Sequence, residues 1–540
     1  MSLTAETRSR KRTVLAATVV GVLYLAFQAW VTYVNPLVRC PLRLIEEDHY
    51  ILFSVVDRIL MGGQLYTDVA YYYGPLSVYP YVWIAAAFGN SVSIQWAHAI
   101  SLAALNAGLL WTLLRRHLGG ALASAFTAVL TFASQWGGGP PWGVVSSPYT
   151  PIEFSLFLLV ALVWAPPAGR SARRSLLLGA IAACLQAAKF GSGVMALGAL
   201  IGIDLLSAWA HGIRWRDRAL LQPTAQLVAA WVVTVAAYAG FIFCWLPNQR
   251  ATEVLWPAYL AEPYAASDAA AGTFRNYFDH FEPKRFVRLE LPLLLALTSI
   301  VLYVRRELRR PEALPAMQLL LFPLAFVVGS VLLFKHIYLW YQYERFFALG
   351  LALGLTRASS GRWVRRTARL GLILLGIAAT IDTGRTLLRR PRDQVALRTP
   401  SGEILWGPPE QSRSYGEWLA RAREFGKTAV IGGIGRSPLV PGFVSFAGAG
   451  LLTRHTWVAP GLIRPEERRA IIDLLLTSPF FISIPRDRPQ ASLAEALAAV
   501  GVFNAEESAE LLSSLCEVRR FGSLAIEVSP CPRPRETSGP

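Results

Sequence analysis

Apolar runs close to the ~20 residues that cross a bilayer recur along this chain, and short arginine clusters separate them. This alternation limits the fold more than any motif does. In lipid every backbone amide must find its partner inside the protein, so runs of this length become helices. Only 16% of the 540 residues are charged and mean hydropathy is +0.40, where a soluble domain would carry about a quarter charged residues. The expected class is an α-helical polytopic membrane protein.

The net charge of +17 comes almost wholly from arginine. Its distribution argues against nucleic acid, because the clusters sit between apolar runs as the positive-inside rule requires. The first run, 13–33, follows Arg8, Arg10, Lys11 and Arg12 and reads as an uncleaved anchor. The clusters at Arg115–Arg116, Arg170 with Arg173–Arg174, Arg214–Arg218, Arg305–Arg310 and Arg357–Arg369 are assigned to the same side. Successive clusters on one side need an even number of crossings. The short Tyr- and Pro-rich run 71–88 is therefore expected to lie along the outer surface, making 35–92 one external loop. The long run between Arg174 and Arg214 must cross twice, with a turn at Gly191-Ser192-Gly193 that puts Lys189 at the outer face. With 94–114, 121–136, 149–165, 223–246, 288–304, 316–334, 346–356 and 368–384, the count is about 11 transmembrane helices. An odd count sends residues 385–540 outside, although Arg385, Arg389, Arg390 and Arg392 oppose that orientation of the last span.

The chain divides into a membrane domain, 1–384, and a C-terminal region, 385–540, with alternating helix and strand patterns. Helices are expected at Tyr415–Phe425, Pro465–Thr477, Ser492–Val500 and Ala505–Leu515, and strands at Thr428–Ile431, Phe480–Ile484 and Leu524–Val528. This is a small α/β domain. "AVIGGIGRSP" lacks a phosphate-loop pattern, and Pro438 interrupts it. None of the five cysteines has metal-ligand spacing. Cys516 and Cys531 would form a disulfide if this domain lies outside the cytoplasm.

The external loop gathers acids: Glu46, Glu47, Asp48 and, after Gly62-Gly63, Asp68. Ile51, Leu52, Val55, Val56, Ile59 and Leu60 make one apolar helical face. Asp48 reads as its N-cap and Gly62-Gly63 as its stop. The helix is expected to lie on the bilayer. On these residues alone, the favoured reading is that Asp48 is only a cap and that Glu46 and Glu47 are solvated.

The order of parts (anchor, acids, amphipathic helix ending "RILMGG", "YTDV", Tyr/Pro helix) resembles the GT-C superfamily of membrane glycosyltransferases, which includes protein O-mannosyltransferases and the lipid A aminoarabinose transferase. Asp48 falls on the first acid of the family's DE motif, and His49 replaces the second. The resemblance covers roughly residues 10–385. It implies an extracytoplasmic active site in the inner (plasma) membrane and a sugar donor on polyprenyl phosphate. The acceptor, a hydroxyl or amine, belongs to a lipid, glycan or protein. Asp48 would take the acceptor's proton, while Glu46, Glu47, His49 and Asp68 would orient the acceptor or hold a divalent cation. The leaving phosphate needs cations at the outer boundary. Lysine is scarce, and Lys189 and Lys335 fall there together with Arg345. Snorkelling, an aromatic belt or a Glu344–Arg345 ion pair would explain these positions without any ligand. Glu153 sits just inside the span at 149–165. A transporter or lipid flippase is the alternative function, but it favours internal repeats and charges at the bilayer midplane. A membrane scaffold with a partner-binding C-terminal domain is a further alternative, in which the loop acids are dispensable.

Overall fold

In the computed structural model, the described residues are 19, 47–71, 73–118, 150–255, 393–432, 442–456, 458, 463–485 and 488–532. The expected spans at 121–136, 288–304, 316–334, 346–356 and 368–384 lie outside them, as do all of 13–33 but residue 19, and Glu46, Lys335 and Arg345.

The loop expected to be external forms α1 (Glu47–Leu60), a 3-10 turn at Pro75–Ser77 and α2 (Tyr79–Phe88). Then follow α3 (Val92–Leu118), α4 (Thr150–Val163), α5 (Ala172–Ala188), α6 (Phe190–Ala210), α7 (Arg218–Trp245) and α8 (Asn248–Leu255). Among the described helices, α3, α6 and α7 contain stretches long and apolar enough to cross a membrane: Val92–Leu113, Gly191–Trp209 and Arg218–Trp245. The shorter α4 and α5 share one core with them, through Leu110, Phe157, Leu158, Leu178, Leu185, Leu200 and Leu227.

A buried ion pair organises one end of this bundle. Arg170, between α4 and α5, donates from Nη1 to Asp204 Oδ1 of α6 at 3.0 Å and pairs through Nη2 with Oδ2. Trp164 Nε1 donates to the same carboxylate at 3.2 Å and Thr224 Oγ1 of α7 at 3.4 Å. At the other end, Trp245 of α7 packs on Tyr79 of α2 with ring centroids 5.9 Å apart. The α5–α6 turn and the start of α3 also lie there, in contact with the external loop and the C-terminal domain. From α4 to α7 the helices therefore run in alternating directions.

The break between α5 and α6 is at Lys189, not at Gly191-Ser192-Gly193. Lys189 has extended dihedrals, φ −153° and ψ 121°, and the glycines belong to α6. Gly193 is needed for close packing: a Cβ there would come 2.3 Å from Gln186 Cβ.

The C-terminal region contains α9 (Pro409–Phe425), α10 (Phe443–Ala447), α11 (Pro465–Leu475), α12 (Leu493–Val500) and α13 (Ala505–Ser514). Its main sheet has the order β4 (Val430–Ile431), β6 (Phe480–Ser483), β8 (Ala525–Pro530), β7 (Leu515–Phe521). β4 and β6 run parallel and the other pairs antiparallel. Alternation along β6 sends Phe481 to one face and Phe480 and Ile482 to the other. The first face meets Trp418 of α9 and Phe443, whose rings stack at 3.9 Å. The second meets Ile472, Leu475, Leu497 and Leu511 of α11–α13. Ser492 and Asn504 close capping boxes on α12 and α13. Cys516 and Cys531 are disulfide-bonded across β7 and the end of β8. A hairpin, β1 (Val395–Arg398) with β2 (Ile404–Gly407), and a short pair, β3 (Lys427–Thr428) with β5 (Gly450–Leu451), complete the domain.

Candidate active site

Glu47, Asp48 and His49 form the first turn of α1. Asp48 is thus not the N-cap, because the helix begins one residue earlier. An acid in the first turn is still favoured by the positive end of the helix dipole. Nor is the apolar face of α1 left open to meet the bilayer. Its apolar face is covered by α2 and by the C-terminal domain, and Ile51 to Val56 are all buried. Phe53 stacks on Phe446 of α10 at 5.3 Å, and Ser54 Oγ accepts from Ser445 Oγ at 3.2 Å. Burial pushes the Asp57 carboxyl up, opposed by hydrogen bonds from Ser445 and Asn90. Asn90 in turn donates to Phe53 O at 3.0 Å and accepts from Tyr81 at 2.9 Å. The second covering layer comes from residues almost four hundred positions away, which is why helical periodicity alone could not place it.

Past Gly62, whose φ of +95° ends the helix, the chain turns back on itself. Asp68 Oδ2 accepts from the Gln64 amide at 2.9 Å, and Asp68 O accepts from Arg58 Nη2 at 2.6 Å. Arg58 Nη1 also donates to Arg454 O at 2.8 Å, and Arg454 Nη1 returns to Tyr66 O at 2.7 Å. Arg454 is the hub of an ion network. Its Nε donates to Glu467 at 2.6 Å, Arg250 pairs with Glu253 at 3.0 Å and Glu467 at 3.4 Å, and Arg464 pairs with Glu253. Burial raises the Glu467 carboxyl, but hydrogen bonds from His455 and Arg454 outweigh it and hold the group far below the usual range. Burial keeps His455 below the usual imidazole value. Neither Glu253 nor Glu467 stands in a recognisable motif, and sequence reasoning missed both.

Lys189 lies at the same end. The loop closes onto its turn through the Gly74 amide, which donates to Ala188 O at 2.9 Å. A Cβ at Gly74 would sit 1.9 Å from Ala187 O, so only glycine permits this approach. Glu153 of α4, also buried, receives the hydroxyl of Ser192 in the first turn of α6. The loop carrying Asp48 and Asp68 and the turn carrying Lys189 are thus joined directly. Among the described residues, no group of three or more His, Cys, Asp or Glu is placed to hold a metal ion.

No protein-family model and no curated protein matches the chain in sequence. Solved structures do. The oligosaccharyltransferase of Archaeoglobus fulgidus, tethered to an acceptor peptide, aligns with 94% of this chain and 74% of its own at 12% identity and a TM-score of 0.51. The chain shares the overall fold of that structure. Apo ArnT from Cupriavidus metallidurans aligns over 95% of this chain and 98% of its own, at 13% identity and a TM-score of 0.48. AglB from A. fulgidus, with an inhibitory peptide and dolichol-phosphate, aligns at 13% identity and a TM-score of 0.42, and the chain spans 58% of AglB's length.

Proposed function

We propose that this protein is an integral membrane glycosyltransferase that moves a sugar from a polyprenyl-phosphate donor to an acceptor hydroxyl or amine on the extracytoplasmic side. The acceptor attacks the anomeric carbon, the bond to the lipid phosphate breaks, and Asp48 takes the acceptor's proton. Lys189, with Lys335 and Arg345, meets the charge on the leaving phosphate. Glu46, Glu47 and His49 orient the acceptor or hold a divalent cation beside Asp48.

One observation carries this reading. The acid-bearing loop and the lysine-bearing turn share a backbone hydrogen bond, Gly74 to Ala188, which supports a site built from both. The GT-C-type fold supports it, and the Cys516–Cys531 disulfide supports an oxidising compartment for the C-terminal domain.

Asp48→Asn tests the chemistry. Asn keeps the shape and tolerates the first turn of a helix but cannot accept the proton. Transfer should fall ~10²–10⁴-fold, with donor binding and thermal unfolding unchanged. Near-normal turnover would remove Asp48 from the mechanism.

A further inference from the structure

We propose that Glu153 is a positioning residue for the donor phosphate: through Ser192 it fixes the one-residue turn that presents Lys189. The inference rests on the reading of Lys189 as a phosphate contact.

Lys189 is the single extended residue between two helices. A break this short has no fold of its own, so its geometry comes from what grips it. Three grips are visible. On the loop side, the Gly74 amide holds Ala188 O. Between the arms, the backbone of Gly193 sits against Gln186 with no space for a side chain. On the third side, the Ser192 amide donates to Lys189 O at 3.0 Å while its hydroxyl donates to a Glu153 carboxylate oxygen. Ser192 thus ties the lysine's own carbonyl to α4.

The choice of residue is informative. Glu153 is 1% exposed and Ser192 0%, and no other residue of α4 is ionisable. An ionisable group at this depth is costly and is seldom kept for helix packing alone. A neutral amide would serve a purely structural link between α4 and α6. A carboxylate also gives Ser192 a stronger, charge-assisted acceptor and stiffens the turn beneath the lysine.

The test measures polyprenyl-phosphate binding and steady-state transfer with the full chain in detergent. Glu153→Ala and Ser192→Ala should each raise the donor KM and the Kd for polyprenyl phosphate about tenfold, the scale of one charge-assisted hydrogen bond. kcat at saturating donor should change less than about twofold. Glu153→Gln, which keeps an acceptor for Ser192 but not the charge, should recover only part of the affinity. Lys189→Ala is the control. If it weakens binding while Glu153→Ala and Ser192→Ala do not, the inference is wrong and the reading of Lys189 stands. If Glu153→Ala weakens binding but Ser192→Ala does not, the route through Ser192 is wrong. Should Glu153→Ala fail to fold, Ser192→Ala decides alone. A wild-type protein that does not bind polyprenyl phosphate overturns this inference and the donor assignment together.

Discussion

The two ends of the membrane helices handle charge in opposite ways. At one end a single pair, Arg170 and Asp204, is fully buried, and its carboxylate is saturated by guanidinium, indole and hydroxyl donors. At the other, charge is spread over Arg250, Glu253, Arg454, His455, Arg464 and Glu467, which are partly open to solvent except for His455 and which lace the external loop to the C-terminal domain. A closed pair fixes helix ends and leaves nothing to bind. A distributed network holds a loop in place while nearby groups remain usable. The turn of Lys189 and the loop that follows α1 lie at the second end.

The largest expected effect breaks the closed pair. Arg170→Ala leaves an uncompensated buried carboxylate, which should cost about 3–5 kcal/mol. Thermal unfolding in detergent measures it. Replacing both partners, Arg170→Met with Asp204→Leu, should recover most of that loss, because two apolar groups need no partner. A small loss in the single variant would mean that this end is more open to water than its burial suggests.

In the distributed network a single loss should matter less. Glu467→Gln should cost about 1.5–3 kcal/mol, since Glu253 still faces Arg250 and Arg464. Its pH dependence sharpens the contrast. Glu467 is held well below 4.5, its ordinary value, so its contribution is complete above that pH and is lost as pH falls below it. His455 is held below 6.5, so the unfolded chain takes up its proton first and stability begins to fall below pH 6.5. Protection from hydrogen exchange at residues 65–70, measured against the intrinsic rate at each pH, should therefore fall on acidification. In Glu467→Gln the portion below about pH 4.5 should disappear. Exchange that does not respond to pH would disconnect the network from the loop.

The contrast also explains what the sequence made legible. Elements with a strong local signal were readable. The apolar faces of α3, α6 and α7, the helices opened by Ser492 and Asn504, and the alternation along β6 all follow from period or capping chemistry. The one-residue break at Lys189 was misplaced by two residues because "GSG" usually marks a turn. Here the glycine serves packing against Gln186. β1 and β2 are four residues each and partly exposed, so they carry little hydrophobic pattern. The network was invisible for a different reason: Arg454 meets Tyr66 across 388 positions, and no local pattern encodes such a meeting. The cover on α1 was hidden likewise, because a greasy face does not say whether lipid or protein will meet it.

The smallest expected effect separates two of the loop's acids, Asp48 and Asp68. Asp68 is already engaged, its carboxylate accepting from the Gln64 amide within its own turn. Asn at this position keeps an oxygen that accepts the same bond, much as Asn replaces Asp in capping roles at a cost of a few tenths of a kcal/mol. Asp68→Asn should therefore unfold within about 0.5 kcal/mol of the wild type and transfer sugar at a similar rate, while Asp48→Asn loses transfer. Thermal unfolding and single-turnover transfer, run side by side, make the comparison. If Asp68→Asn lost transfer as deeply with its stability intact, the charge of Asp68 would be part of the chemistry. The base would then have to be sought in the turn before Val69 rather than at the start of α1.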